Sequence, residues 1–433
     1  MVISKIVKVW AREVLDSRGN PTVEAEVRTA SATATGIAPS GASTGTYEAL
    51  ELRDGGKRFG GKGVLKAVEN VRRVIGPRIE GMDVTCQADI DKAMIELDGT
   101  ENKARLGANA MTAVSFACAR CGARVAGIEL HEHLRKGSRT LPVPMMNIIN
   151  GGKHAGSKLK IQEFMIVPAG MRSFGEAYRA GAEVYQSLRV ILRSSYGPGA
   201  INVGDEGGFA PPFDTTREAL DSVVKAISAA GYEPGGDMFL AMDSAASEFY
   251  SNGVYELDDR SLKADQMIDF YASLADEYPI VSFEDPLAED SFEDTASLTE
   301  RVGDVVQVVG DDLFVTNITR LKKGISQKSA NAMLLKVNQI GTVTEAFSAA
   351  SLCSQSGYGV VVSHRSGETE DTSIADIAVA LGCGQMKSGA PARSERTSKY
   401  NRLLRIEEAL GEKAVFPGAA LYKRRRTLGT SPK

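Results

Sequence analysis

Between residues 239 and 387 the chain repeats one pattern: a short apolar run ends on a single polar or charged residue, then a loop and a helical stretch follow. The run 239–242 ends at Asp243, 280–283 at Glu284, and 305–309 leads through Gly310 to Asp311. The run 333–335 ends at Lys336, 360–363 at His364, and Gly384-Gln385-Met386 leads to Lys387. These endings are 41, 27, 25, 28 and 23 residues apart. A strand, a loop and a helix together use about 20–30 residues, so the spacing predicts successive βα units. The long first interval has room for an extra hairpin, with Asn252-Gly253 as its turn. Apolar-throughout strands belong to buried parallel sheets, and a long regular succession of them predicts a closed β/α barrel. In such barrels the groups that do chemistry sit where the strands end, which is where these polar residues fall.

The first part of the chain has another rhythm. Short strands are expected at 7–10 and 22–28, with Asp16-Ser17-Arg18-Gly19-Asn20-Pro21 as the turn between them. A loop of small residues follows at 39–45, and 63–133 reads as mostly helical. Leu141-Pro142-Val143-Pro144 marks a boundary, giving an α+β domain over 1–138 and a barrel over 139–433. Within the barrel, Thr215 with Glu218 and Thr342 with Glu345 read as capping boxes, and Gly324, Gly357 and Gly382 as helix stops.

With 433 residues, 43% apolar and 24% charged, the chain can bury a large core. A net charge of −4 gives no reason to expect nucleic acid or membrane as partner, so charge for an anionic ligand must be gathered locally. No run of 18 apolar residues and no signal-peptide core occur, and five cysteines point to reduced thiols in a cytoplasm.

Asp243, Glu284 and Asp311 end three successive strands. Held together they repel unless a cation lies among them, and hard oxygen ligands favour magnesium. Solvated loop acids are the plain alternative for any one of them. Lys336 lies among apolar neighbours, as either a salt-bridged lysine or a base whose pKa nearby cations push down. Other signals are discounted. Residues 151–158 have the glycines of a phosphate loop but Ser157-Lys158 in the wrong order. Cys118 and Cys121 form a lone CxxC in a helical run, and His131-Glu132-His133 lacks metal-helix spacing and reads as surface. Lys423-Arg424-Arg425-Arg426 reads as a solvated helix end.

The chain resembles enolases almost from end to end. The resemblance rests on Asp16 through Glu24, the Ser40 loop, Asn147 to Gly152, His154-Ala155-Gly156, Gln162-Glu163-Phe164, Gly204-Asp205-Glu206-Gly207-Gly208, Glu284-Asp285-Pro286, Gly310-Asp311-Asp312-Leu313, Leu334 to Gly341, Ser363 through Asp371 and Gly389 to Glu395. It implies a small α+β domain before a barrel with an irregular ββαα start, and interconversion of 2-phosphoglycerate and phosphoenolpyruvate. Enolase-superfamily sites are themselves a known example of a Lys or His base working with magnesium. By resemblance, Asp243, Glu284 and Asp311 hold a first Mg2+ and Ser40 completes a second with substrate. Lys336 is the base at C2, and Glu206, beside Glu163, is the acid at C3. Arg365 and Ser366 grip the phosphate, Lys387 pairs with the carboxylate, and His154, Gln162 and His364 make further substrate contacts. The resemblance also implies a homodimer, sometimes a larger assembly, a cytoplasmic location, and secondary partners such as plasminogen at a cell surface. Two rivals remain: another carboxylate-acting enzyme of the superfamily, and a binding or scaffold role.

Overall fold

The computed structural model describes residues 3–41, 45–155 and 158–423. Strands β1 (Lys8–Leu15), β2 (Pro21–Arg28) and β3 (Thr33–Ile37) form an antiparallel sheet. In β2, Val23, Ala25 and Val27 are buried, while Glu24 and Glu26 alternate with them and pair with Arg12 on β1. The turn before β2 is set by Asp16, whose Oδ1 accepts the N–H groups of Arg18 at 2.9 Å and Asn20 at 2.8 Å. The sheet lies flush on helix Ala108–Ala126. A Cβ on Gly36 would stand 2.5 Å from backbone atoms of that helix, so only glycine fits. Cys118 and Cys121 lie buried in this helix as packing residues, and all five cysteines are free. Strand β3 was not anticipated, because Thr33-Ala34-Thr35-Gly36-Ile37 carries little apolar bulk.

The second unit is a closed eight-stranded barrel. Its strands are β4 (Val143–Asn150), β5 (Glu163–Val167), β6 (Phe239–Asp243), β10 (Ile280–Glu284), β11 (Gln307–Gly310), β12 (Ala332–Leu335), β13 (Gly359–Ser363) and β14 (Gln385–Lys387). A small outer sheet of β7 (Tyr250–Ser251), β8 (Val254–Leu257) and β9 (Arg260–Leu262) fills the long interval, and the turn at Asn252-Gly253 has both φ positive, at 52° and 83°. Strand β5 runs antiparallel to both neighbours, and two helices, Phe174–Tyr196 and Thr216–Ala229, precede β6. This is the irregular ββαα start, and parallel βα units follow it.

Each expected capping box forms its threonine half: the Thr215 and Thr342 hydroxyls accept the N–H of Glu218 and Glu345, while the Glu218 carboxylate accepts the N–H of Asp214 and the Glu345 carboxylate accepts from the Thr342 hydroxyl. Gly357 and Gly382 follow helix ends with φ of 74° and 62°. Gly324 does not stop its helix, which runs on to Gln327 before Lys328 turns left-handed. A Cβ at Gly324 would meet the Phe314 ring at 2.2 Å, so the glycine serves close packing instead. His131 is not a surface residue: it is buried, its Nδ1 lies 2.9 Å from Ser138 Oγ, and its N–H reaches Asp376. Residues 424–426 of the basic run lie outside the described residues, as do Gly156 and Ser157. Among the described residues no helix is long and apolar enough to cross a membrane.

Candidate active site

Strand periodicity builds the site. Along β12, Met333 and Leu335 face the outer helices, while Ala332 and Leu334 fill the barrel interior; Lys336, next in phase, faces inward at the rim. The same alternation aims Asp243 above Phe239 and Ala241, and Lys387 above Gln385. Glu163 reaches this rim by another route. Strand β5 is antiparallel, so its first residue, not its last, pairs with Asp243 and Asn150.

One cleft at this end, about 400 Å³ including its mouth, is lined by His154, Gln162, Glu163, Glu206, Asp243, Asp311, Lys336, His364, Arg365, Ser366 and Lys387, with Asp285 and Asp312. Glu284 lies beneath, bonded to Lys387. The Lys387 ammonium stands 2.8 Å from Asp243 Oδ2, 2.9 and 3.0 Å from the Glu284 oxygens and 3.2 Å from Glu163 Oε2. Lys336 donates to Asp311, whose other oxygen accepts from Gln339 at 2.9 Å. Gln162 reaches Asp243 at 3.4 Å. Asp285 accepts the N–H groups of Asp311 at 2.8 Å and Asp312 at 2.7 Å, which fixes the strand end that carries Asp311.

A second group surrounds Glu206, on the loop between the two early helices. Asn147 donates to it at 3.1 Å, His364 Nε2 lies 3.3 Å away, and His154 Nδ1 lies 3.8 Å from Glu206 and 3.7 Å from Glu163. Arg365 is gripped by Glu48 of the first domain through two bonds, 2.9 and 3.0 Å, and also donates to Asn338 at 3.0 Å. Ser366 accepts from Arg18 at 3.4 Å. Ser40 is not brought to the cleft: its hydroxyl bonds Glu51 at 2.9 Å and accepts from Arg53 at 3.1 Å. Gly41 does line the cleft, and Ala42, Ser43 and Thr44 lie outside the described residues.

Burial and the neighbouring carboxylates Glu206 and Asp243 hold Glu163 well above the ordinary carboxylate range. Glu284 and Asp285 are raised for the same two reasons, and Asp312 is raised to about 8. Glu206 goes the other way: burial alone would raise it, but His364 and His154 carry it well below. Of this coupled pair, Glu163 holds the shared proton. The protein's own side chains shift two of these groups away from their expected roles. Burial lowers the Lys336 pKa, yet Asp311 raises it further, so Lys336 is net raised, not depressed. Glu206, which would need a raised pKa to act as an acid at C3, is depressed by the same two histidines. No motif signalled that Asp311 would point at Lys336 or that two imidazoles would flank Glu206.

The donor set fits a divalent cation. Glu163, Glu206, Asp243, Glu284, Asp285 and Asp311 are buried together with few cations between them; burial first, and then repulsion from neighbouring carboxylates, raises Glu163, Glu284 and Asp285. All the donors are hard oxygens apart from His154 near Glu163 and Glu206, and the ammonium of Lys387 already lies among three of them. Asn147, Glu48, Asp285 and Arg396 carry parts of the site that sequence reasoning assigned no role. Asn147 and Asp285 lie inside the motifs that carried the resemblance; Glu48 and Arg396 gave no signal, because only the fold brings them in.

Two family models match the chain: the enolase N-terminal domain over residues 6–134 and the enolase C-terminal TIM barrel domain over residues 138–425. A curated enolase from Methanopyrus kandleri is 61% identical over 416 residues, covering 95% of this chain and 97% of that protein. One from Methanocaldococcus jannaschii is 59% identical over 409 residues, covering 94% and 96%. One from Thermococcus gammatolerans is 55% identical over 417 residues, covering 96% and 97%. With both domains matched and identity this high over nearly the full length, the chain belongs to the enolase family, the phosphopyruvate hydratases, which are lyases.

Proposed function

We propose that this chain is a glycolytic and gluconeogenic enolase that dehydrates 2-phosphoglycerate to phosphoenolpyruvate reversibly. The observation that carries the reading is that Lys336, the Glu163–Glu206 pair, the acids Asp243 and Asp311 and the Arg365–Ser366 pair all line one cleft. Asp243, Glu284 and Asp311 would hold magnesium, whose bound form supplies charge to offset an enediolate. For Ser40 to join a second cation, its hydroxyl must leave Glu51 and Arg53.

Lys336 takes the C2 proton. To do so it must be neutral, and its bond to Asp311 opposes this; drawing Asp311 away lowers the Lys336 pKa toward that of a working base. The proton for the C3 hydroxyl leaves through Glu206 and is stored in the pair it forms with Glu163. Base and acid are thus separate groups, as removal of H from C2 and OH from C3 requires. Arg365 offers a planar fork to the phosphate, and its present hold on the Glu48 carboxylate is the same chemistry with an internal anion. Lys387 pairs with the substrate carboxylate, and Gln162, His154 and His364 complete the polar lining. A cytoplasmic homodimer is the expected state.

The test follows ultraviolet absorbance as phosphoenolpyruvate forms from 2-phosphoglycerate, with magnesium and then with a chelator. A magnesium-dependent rise supports the reading. A folded, magnesium-loaded protein that gives no rise would move the assignment to another carboxylate-acting enzyme of the superfamily.

A further inference from the structure

One buried cation has no place in the reaction described above. Arg396, near the start of helix Ser394–Leu410, is wholly buried, yet among the described residues no carboxylate forms a hydrogen bond with its guanidinium. Glu395 Oε1 lies 3.6 Å from its Nε, beyond a hydrogen bond. Its terminal nitrogens instead spend their donors on four acceptors. One reaches the carbonyl of Arg365 at 2.6 Å and His364 Nδ1 at 2.6 Å. The other reaches the carbonyls of Asp205 at 3.0 Å and Ser366 at 2.5 Å.

These partners are not arbitrary. Asp205 precedes Glu206, and Arg365 and Ser366 form the phosphate grip. An arginine has no lone pair to offer, so the contact with His364 can exist only with Nδ1 as acceptor. A neutral imidazole that accepts at Nδ1 carries its proton at Nε2. That nitrogen is buried, makes no full hydrogen bond, and faces Glu206 Oε2 at 3.3 Å. Gly389 makes room for the arrangement: a Cβ there would stand 2.9 Å from Arg396 Cδ and 3.1 Å from His364 Cε1.

We propose that Arg396 is a positioning residue that fixes His364 as the Nε2–H tautomer, aimed at Glu206, and ties the Glu206 loop to the Arg365–Ser366 loop. Burial, with the Arg396 charge on its side and against the pull of Glu206, keeps His364 neutral, with a pKa lowered to about 4, so the ring presents a donor and not a second titrating acid. The catalytic consequence rests on the role of Glu206 proposed above; the tautomer does not, so the two can fail separately.

The chain has four histidines, which makes imidazole nitrogen spectroscopy tractable. Long-range proton–nitrogen correlation on the substrate-free protein, with His364→Asn to assign the signals, reads the tautomer directly. The expected result is Nε2–H for His364 in the wild type and a mixed or reversed tautomer in Arg396→Lys, which keeps the charge but loses the fork. Turnover of Arg396→Lys should fall about 100-fold in kcat with near-ultraviolet circular dichroism unchanged, as misplacement of a reacting group by about 1 Å costs. An Nδ1–H tautomer in the wild type, or an unchanged tautomer in folded Arg396→Lys, would overturn the proposal. If that variant does not fold, the wild-type spectrum decides alone. A wild type with the expected tautomer but no turnover of 2-phosphoglycerate would defeat the functional reading and leave the tautomer assignment standing.

Discussion

The two ends of the barrel are made from the same strands and have opposite interiors. At the end where the parallel strands begin, Gln307 and Gln385 exchange amide hydrogen bonds of 3.1 and 3.0 Å, and Tyr422 donates to Gln385 at 3.2 Å. Apolar Val281, Ala332 and Val361 fill the space around them. Every polar group named there is neutral and partnered, which is the cheap way to bury polarity. At the other end the same inward faces carry Glu163, Asp243, Glu284, Lys336 and Lys387, and Glu163 Oε2 and His364 Nε2 are buried without a full hydrogen bond. Buried charges in excess cost stability until a partner arrives. One end holds the barrel closed, and the other gathers charges that its own side chains do not fully partner.

Substitutions can break this comparison. The largest effect is expected at the rim: Lys336→Ala should remove C2 proton exchange by about 10⁴-fold or more while the fold persists. Exchange measured in heavy water, with circular dichroism beside it, checks this; retained exchange would remove Lys336 as the base. Glu206→Gln should lower overall turnover by about 10²–10³-fold and spare C2 exchange more. Equal losses would mean that Glu206 does not act mainly at C3.

A change in the filled interior should do the reverse. Leu334→Ala, two residues before Lys336 on the same face, is expected to cost about 3 kcal/mol in urea unfolding. Activity per folded molecule should hold. A mild stability change with a large activity loss would show that the two ends are not separable.

The smallest effect is a slope. Asp312 is raised to about 8, and Glu163, Glu284 and Asp285 well above their ordinary range. Their folded pKa values exceed the unfolded ones, so the native state binds more protons and loses stability as pH rises through the folded values. The depressed histidines have the opposite sign but finish titrating below about pH 7. Melting temperature without metal should therefore fall between about pH 7 and 8, and saturating magnesium should flatten the fall. A flat profile without metal would show that the rim carboxylates are not in excess.

Much of the barrel was legible because its strands are short, apolar and evenly spaced, each ending in one conspicuous polar residue. Asp243, Glu284, Lys336 and Lys387 could thus be placed on one rim by counting. Glu163 could not, since counting assumes parallel strands and β5 runs the other way. Gly324 misled because a glycine beside a ring and a glycine at a helix end look alike in sequence. His131 misled because helical periodicity says which residues share a face, not which domain covers it.

Alternation and spacing are local properties of a strand, so the barrel and the residue types around the cleft could be read from the chain, and the irregular start followed from the resemblance. Which charges pair came from the folded chain. Asp311 holds Lys336 and Glu48 holds Arg365. Two histidines depress Glu206, and Arg396 sets the proton on one of them. Those pairings join residues up to 317 positions apart, and electrostatic energy depends on distance in space, which no local pattern encodes.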